Sequence, residues 1–138
     1  MLRPIPSILA VAALLISACN NGSPGEYEAV QSAIQLRATA LNTRNLPLYL
    51  SVVSGHYRDD KGRGREQLRA DLETAFNRYD HVSYQVEGQS VTIQRKSAKV
   101  SGTYRMKVHS RGNETLLHGR ERMVFAKESD GWKIITGL

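Results

Sequence analysis

The sequence predicts an α+β domain in which about three N-terminal helices pack in the concave face of a bent antiparallel sheet. Up to Tyr79 the apolar residues recur at helical spacing, and beyond Asp80 they alternate with polar residues, as in half-buried strands. Helices followed by consecutive strands are typical of α+β domains. The 138 residues, of which 41% are hydrophobic, suit a single domain with its own core.

The first eighteen residues have the order of an export signal. Arg3 supplies positive charge, residues 8–16 are all apolar, and the small residues Ser17 and Ala18 follow. Nine apolar residues cover about 13 Å as a helix, against about 30 Å for the hydrocarbon core of a bilayer. We therefore expect a signal peptide over residues 1–18 rather than a permanent span.

The segment from Ile16 to Cys19 resembles the lipobox of bacterial lipoproteins, in which the signal is cut before the cysteine and that cysteine is lipidated. The resemblance implies that Cys19 carries fatty acyl chains such as palmitate and anchors the protein in the membrane. Asn20, in place of an aspartate, implies the periplasmic face of the outer membrane where the host has two membranes. The alternative is an ordinary signal peptide with an incidental cysteine.

This location limits the possible partners. The net charge of +6 and pI near 9.7 suit anionic partners, but cytoplasmic nucleic acid is out of reach of an exported domain. Cys19 is the only cysteine, so no internal disulfide can form. Residues 19–25, polar and rich in turn formers after the cysteine, predict a flexible tether, and residues 26–138 predict the folded domain.

Three helices are predicted. The first covers Glu26 to Thr43, the second begins at Asn45 as N-cap and ends near Val53, and the third covers Arg65 to Tyr79. The buried face of the first helix is expected to contain Tyr27, Val30, Ala33, Ile34, Ala38 and Leu41. That of the third is expected to contain Leu68, Leu72, Ala75, Phe76 and Tyr79.

The strands follow one another along the chain. Val82 to Val86 and Val91 to Ile93 alternate as two segments, and Ala98 to Val108 as a longer strand. A turn over Arg111 to Glu114 leads into a strand from Thr115 to Lys127, and a second turn leads into Trp132 to Thr136.

The segments "ALNTRNLPLYLSVVSGHYRD", "GREQLRADLETAF" and "ERMVFAKESDGWKII" resemble the nuclear transport factor 2-like superfamily. The resemblance covers about residues 26–138 and implies a cone in which a strongly bent sheet wraps around helices and leaves a pocket. The superfamily includes ketosteroid isomerase-like enzymes, dehydratases, polyketide cyclases, ligand binders and oligomerisation modules, so the fold does not select a function.

Glu121 is the main candidate for chemistry. If Ser110 pairs with Thr115, then Tyr104 lies opposite Glu121 on a face that is otherwise apolar, small or aromatic. A carboxylate on such a face has the environment of a general acid or base, and Tyr104 can donate a hydrogen bond to it. The alternatives are that Glu121 sits at the pocket mouth, pairs with Arg58 or Arg63, or is turned outward by a bulge.

Other candidates surround this acid. His56 is a possible catalytic helper in the loop from Gly55 to Gly64, which the alternative interpretation treats as a solvated turn. The residues expected to contact a ligand are Tyr57, Asp60, Tyr84, Tyr104, Met106, Met123 and Phe125. No motif for a cofactor or metal is present, and His109 and His118, expected to lie diagonally adjacent, lack a third ligand.

The opposite face of the same hairpin is predicted to be basic. It contains Lys99, Arg105, Lys107, Arg120 and Arg122. In the predicted register Arg105 lies opposite Arg120 and Lys107 opposite His118, which destabilises a sheet unless solvent or an anion screens the charges. This face is either simply solvated or binds an anionic partner.

The leading interpretation is an envelope-anchored lipoprotein that binds a small apolar ligand or an envelope protein without catalysis. The alternative is an enzyme of isomerase, dehydratase or cyclase type, with Glu121, Tyr104 and His56 moving a proton. A third possibility is a scaffold that forms a homodimer or larger oligomer through its sheet.

Overall fold

The computed structural model describes residues 22–138. The predicted signal peptide and Cys19 lie outside the described residues. Helices α1 (Pro24–Thr43), α2 (Leu46–Leu50) and α3 (Arg65–Arg78) precede strands β1 (His81–Gln94), β2 (Ser97–Ser110), β3 (Asn113–Glu128) and β4 (Gly131–Thr136). The strands form one antiparallel sheet in the order β1-β2-β3-β4. Among residues 22–138, no helix has the length and apolar character needed to cross a membrane.

The helix α1 begins earlier than predicted. Ser23 is its N-cap, and the Ser23 hydroxyl accepts a hydrogen bond from the backbone N–H of Glu26 at 3.3 Å. Pro24 occupies the first turn, where its missing N–H costs nothing. Pro24 and Gly25, which the sequence places in the predicted tether, are therefore the first two residues of α1. Tyr27, predicted to be buried, is 47% exposed.

The second helix is shorter than predicted. The Asn45 side chain caps it as expected, but α2 ends at Leu50 and not near Val53. The following residues pair with β4 instead, with Val53 opposite Ile134 in a parallel bridge. Hydrogen bonds from Ile134 N to Val52 O and from Ser54 N to Ile134 O hold this segment against the sheet.

The strand β1 joins the two segments that the sequence separates. Its pairing with β2 shifts between Val86 and Gly88, so one additional residue is inserted there. This bulge explains why Tyr84 and Val86 have even numbers while Val91 and Ile93 have odd ones, although all four lie on the inner face.

The predicted register of the β2–β3 hairpin is wrong by two residues. Arg111 and Gly112, with φ of 50° and 80°, form a two-residue turn, so Ser110 pairs with Asn113 and not with Thr115. Tyr104 consequently lies opposite Gly119, and Glu121 lies opposite Gly102. A shift of two preserves the side-chain alternation, so every residue of the hairpin keeps its predicted face.

The sheet bends around α1, whose apolar face supplies much of the core. Val30, Ala33, Ile34, Ala40 and Leu41 are buried there. They pack in one cluster with residues of the inner face of the sheet, including Phe125 and Ile134, which are fully buried. Leu68, Leu72 and Phe76 of α3 contact the same cluster. The predicted α+β fold, three helices packed on a four-stranded antiparallel sheet, is confirmed.

Candidate functional site

A cavity of about 290 Å³ lies between α1 and the inner face of the sheet. Its walls combine the aromatic rings of Tyr84 and Tyr104 with the apolar side chains of Leu41 and Met106. Charged groups of Arg37 and Glu121 also line it, and Arg120, Arg122, Gly137 and Leu138 complete the lining. The cavity is therefore amphipathic, with an apolar body and a few polar groups, as in small-molecule sites.

A buried ion pair forms the polar part of the cavity. Arg37 Nη1 lies 3.1 Å from Glu121 Oε2, and the two side chains are only 10% and 9% exposed. Charges buried to this degree need a partner of opposite charge. Glu121 belongs to the middle of β3, and Arg37 comes from the buried face of α1, so the pair joins the helix to the sheet.

Two tyrosines supply the remaining contacts of this pair. The Nε of Arg37 donates to the Tyr49 hydroxyl and its Nη1 donates to the Tyr84 hydroxyl, both at 3.1 Å. The Tyr84 hydroxyl in turn donates a short hydrogen bond to Glu121 Oε1. The Arg37 guanidinium carbon also lies 5.6 Å from the Tyr49 ring centroid and 5.3 Å from that of Tyr84. Both carboxylate oxygens of Glu121 are thus engaged.

Local contacts determine where the aromatic rings lie. The Asn42 side chain exchanges two hydrogen bonds with the backbone of Tyr84, accepting from its N–H at 2.6 Å and donating to its carbonyl at 3.2 Å. Asn42 thereby occupies the free edge of β1 at Tyr84. The Tyr104 ring lies over Gly119, where an added Cβ would come within 2.6 Å of the Tyr104 hydroxyl. Gly119 is therefore the residue that makes room for Tyr104.

Two hydrogen-bond donors in the cavity are unused. Arg37 Nη2 and the Tyr104 hydroxyl form no hydrogen bond with any residue in the range 22–138. Neither atom is among the buried side-chain atoms that lack a partner, and both residues line the cavity. The cavity thus offers donors, and the Glu121 carboxylate is already committed to Arg37 and Tyr84.

Burial and neighbouring charges define the protonation states. Burial alone would lower the pKa of Arg37, but the Tyr49 oxygen and the Glu121 carboxylate outweigh it, and the pKa lies above its usual value. Burial raises the pKa of the Tyr84 phenol, and its hydrogen bond to Glu121 raises it further against the opposing effect of Arg37. Tyr84 therefore remains protonated and Arg37 charged at neutral pH.

The raised pKa of Tyr84 predicts a loss of stability in alkali. Above the ordinary tyrosine pKa of about 10 the unfolded chain releases a proton that the folded chain retains, so the free energy of unfolding falls as pH rises. Urea unfolding at a series of alkaline pH values measures this slope, which we expect to be smaller in Tyr84→Phe. An identical slope in that variant would contradict the prediction.

The cavity brings together part of the predicted site. Glu121, Tyr84, Tyr104 and Met106 line it, but the donor to Glu121 is Tyr84 and not the predicted Tyr104, because of the two-residue register difference. Met123 and Phe125 belong to the core, with 1% and 0% exposure.

The loop residues lie apart from the cavity lining. His56 and Asp60 are exposed, and Tyr57 is buried with its hydroxyl bonded to the backbone of Leu138. Asp59 accepts hydrogen bonds from the backbone of Lys61 and from Arg63, so it organises the loop. The structure therefore does not bring His56 to Glu121.

Glu121 pairs with an arginine, as one alternative held, but that arginine is Arg37 and neither Arg58 nor Arg63. Arg63 pairs with Asp59 and Asp71, and Arg58 donates to the carbonyl of Tyr57. Arg37 was missed, although a signal for it exists. It lies three residues after Ile34 and four before Leu41, inside the apolar stripe of α1, where a charged residue requires a buried partner.

The predicted basic face lies on the outer side of the sheet, but its like charges are not opposed. Arg105 lies opposite His118, Lys107 opposite Leu116 and Arg120 opposite Thr103. Arg105 forms an ion pair with Glu87 at 2.9 Å. His109 lies opposite Glu114 and 3.1 Å from its carboxylate, so the predicted proximity of His109 to His118 is not found. No group of three potential metal ligands occurs among the described residues.

The fold is an antiparallel sheet with an amphipathic cavity on its inner face. The chain belongs to the SnoaL-like domain family, whose model matches residues 27–136. No sequence among curated proteins matches it.

Solved structures share the fold at low sequence identity. A protein from Novosphingobium aromaticivorans proposed to be an aromatic ring hydroxylase is 17% identical, with a TM-score of 0.76, over 84% of this chain and 88% of that one. A nuclear transport factor 2-like superfamily protein from Salmonella enterica is 15% identical, with a TM-score of 0.74, over 82% and 88%. A proposed dehydratase from Streptomyces avermitilis is 14% identical, with a TM-score of 0.75, over 83% and 95%.

Proposed function

We propose that the domain binds a small, largely aromatic ligand that carries an oxygen acceptor, and that it does so without catalysis. The observation that carries the proposal is the pair of unused donors, Arg37 Nη2 and the Tyr104 hydroxyl, in a cavity whose walls also include aromatic rings and apolar side chains. A carbonyl, phenolate or carboxylate oxygen would accept from both, while the ring of the ligand packs against Met106 and Leu41.

The arrangement of Glu121 supports binding over proton transfer. A general base needs a lone pair directed at the substrate, yet Oε1 accepts from Tyr84 and Oε2 faces Arg37.

Proton transfer is the second candidate, and one observation favours it. The hydrogen bond from the Tyr84 hydroxyl to Glu121 is a path by which a proton could move between the cavity and the carboxylate. Proteins proposed to be a dehydratase and an aromatic ring hydroxylase share the fold. This alternative predicts that a ligand retained by the protein is converted to a product and that Glu121→Gln stops the conversion. A ligand recovered unchanged excludes it.

Filling the cavity should abolish ligand binding. Met106→Trp adds an indole to a space of about 290 Å³, so we expect native mass spectrometry of the full chain from its own host to lose a bound small molecule that the wild-type chain retains. The matched control is Lys107→Trp, which places the same side chain on the outer face and should retain the ligand. Equal retention in both variants would contradict the binding proposal.

We also propose that the chain is a lipoprotein held at the cell envelope through Cys19, on the basis of the lipobox-like residues 16–19. Several acyl chains hold a protein on a bilayer far more firmly than one short chain. Cys19→Ser should move the protein from the membrane fraction to the soluble fraction on cell fractionation, and Ser23→Ala, which leaves the cysteine intact, should not. Unchanged membrane association of Cys19→Ser would refute the anchor.

A further inference from the structure

Besides the cavity, the surface has a depression where the middle parts of β1, β2 and β3 lie side by side. It has a volume of about 410 Å³ and is bordered by three consecutive residues of each strand. The central row is Gln89, Gly102 and Glu121, paired across the strands. Glu121 points inward to Arg37, so by strand alternation the two rows on either side of it face outward.

The outward-facing rows carry donors. One row consists of Arg122, Ser101 and Ser90, and the other of Arg120, Thr103 and Gly88. Gly88 has no side chain, and the side chains of the central row point to the inner face. This leaves a space with two arginines on the β3 side and serine and threonine hydroxyls on the β1 and β2 side. The Ser90 and Ser101 oxygens are 2.9 Å apart, so each serine can orient the other.

The two arginines lack carboxylate partners. Among residues 22–138 neither Arg120 nor Arg122 forms an ion pair, whereas Arg105 and Lys107 on the same face pair with Glu87 and Glu114. The nearest outward acid along the strand, Glu87, is thus engaged by Arg105. Two adjacent like charges without a counter-ion repel each other, and a bound anion removes that repulsion.

We propose that this depression is a binding site for a phosphate group. The two guanidinium groups donate to phosphate oxygens in the forked geometry that arginine favours, and the hydroxyls of Ser101 and Thr103 donate to the remaining oxygens. The phosphate belongs either to a phospholipid head group or to a small phosphorylated molecule. By strand alternation this site opens on the outer face of the sheet, and Arg120, Glu121 and Arg122 border both it and the proposed ligand cavity.

The first test compares two double variants of the full chain that remove equal charge from one face. Arg120→Gln/Arg122→Gln should weaken the binding of inorganic phosphate in a calorimetric titration by about tenfold or more, since each lost charge-assisted bond is a strong one. Lys99→Gln/Lys107→Gln, which lies outside the depression and leaves the Arg105–Glu87 pair intact, should stay within about twofold of the unmodified chain. Equal losses in both variants would show that the effect is general charge attraction and would overturn the proposed site. The proposal would also fail if the unmodified chain showed no saturable phosphate binding.

The second test identifies the source of the phosphate. The same variants are sedimented with phosphatidylglycerol vesicles, and phosphatidylcholine vesicles serve as the neutral control. Any contribution of the N-terminus to vesicle binding is common to all variants. A selective, salt-sensitive loss for Arg120→Gln/Arg122→Gln supports a lipid head group. A loss of inorganic phosphate binding with unchanged vesicle binding supports a small phosphorylated molecule at the same site.

Discussion

Replacing Arg37 with methionine is expected to lower the free energy of unfolding by about 3–5 kcal/mol, because it leaves the Glu121 carboxylate buried without its counter-charge. The substitution also removes the donors to the Tyr49 and Tyr84 hydroxyls. Urea unfolding followed by circular dichroism measures the change.

Two controls separate charge from packing in this experiment. The double variant Arg37→Met/Glu121→Leu should recover much of the lost stability, since replacing both members of a buried pair with apolar residues is often neutral. Arg105→Gln, which breaks a half-exposed pair with Glu87, should cost less than about 1 kcal/mol. A double variant as unstable as Arg37→Met alone would show that lost packing, and not an unpaired charge, dominates.

Gly102→Ala is expected to lower the free energy of unfolding by about 1–3 kcal/mol, which is the usual cost of adding atoms to a well-packed interior. A Cβ at this position would lie 2.5 Å from the backbone oxygen of Gly88, and backbone cannot move aside as a flexible side chain can. The strand would have to shift where β1 has its bulge and where Gly102 pairs with Glu121. Thermal or urea unfolding measures the loss.

Gly88→Ala is the matched control for this substitution. An added Cβ there meets only the Thr103 hydroxyl oxygen at 3.7 Å, an ordinary contact, so we expect a change within about 0.5 kcal/mol. If both variants lost the same stability, the close approach of β1 to β2 at Gly102 would not be the cause. A neutral Gly102→Ala would contradict the prediction, because it would show that the strands have room for a Cβ at this position.

The elements themselves could be predicted from periodicity because each depends on local spacing. The helical stripe of α1, the Asn45 cap and the alternation along β2 and β3 are all present as expected. The inward placement of Glu121 was also predictable, because a register difference of two leaves every side chain on the same face of the sheet. The predicted start of α1 and the predicted end of α2 were less accurate. Capping by Ser23 decides where α1 begins, and the pairing of Val53 with Ile134 decides where the chain leaves α2.

The partner of Glu121 could not be predicted from local spacing. Arg37 is separated from it by most of the domain, and it reaches the carboxylate only because α1 packs in the concave face of the sheet. Which tyrosine donates to Glu121 depended on the register of the β2–β3 hairpin. The backbone conformation of the two-residue turn at Arg111 and Gly112 determines that register.

The sequence by itself therefore determined the fold class, the order of elements and which residues face inward, because these follow from periods of about 3.6 and 2 along one chain. The tertiary structure alone decided that Glu121 is an ion-paired carboxylate and that the unused donors of the cavity are Arg37 and Tyr104. The physical reason is that burial and pairing of charges depend on distances between distant segments, and only packing establishes those distances.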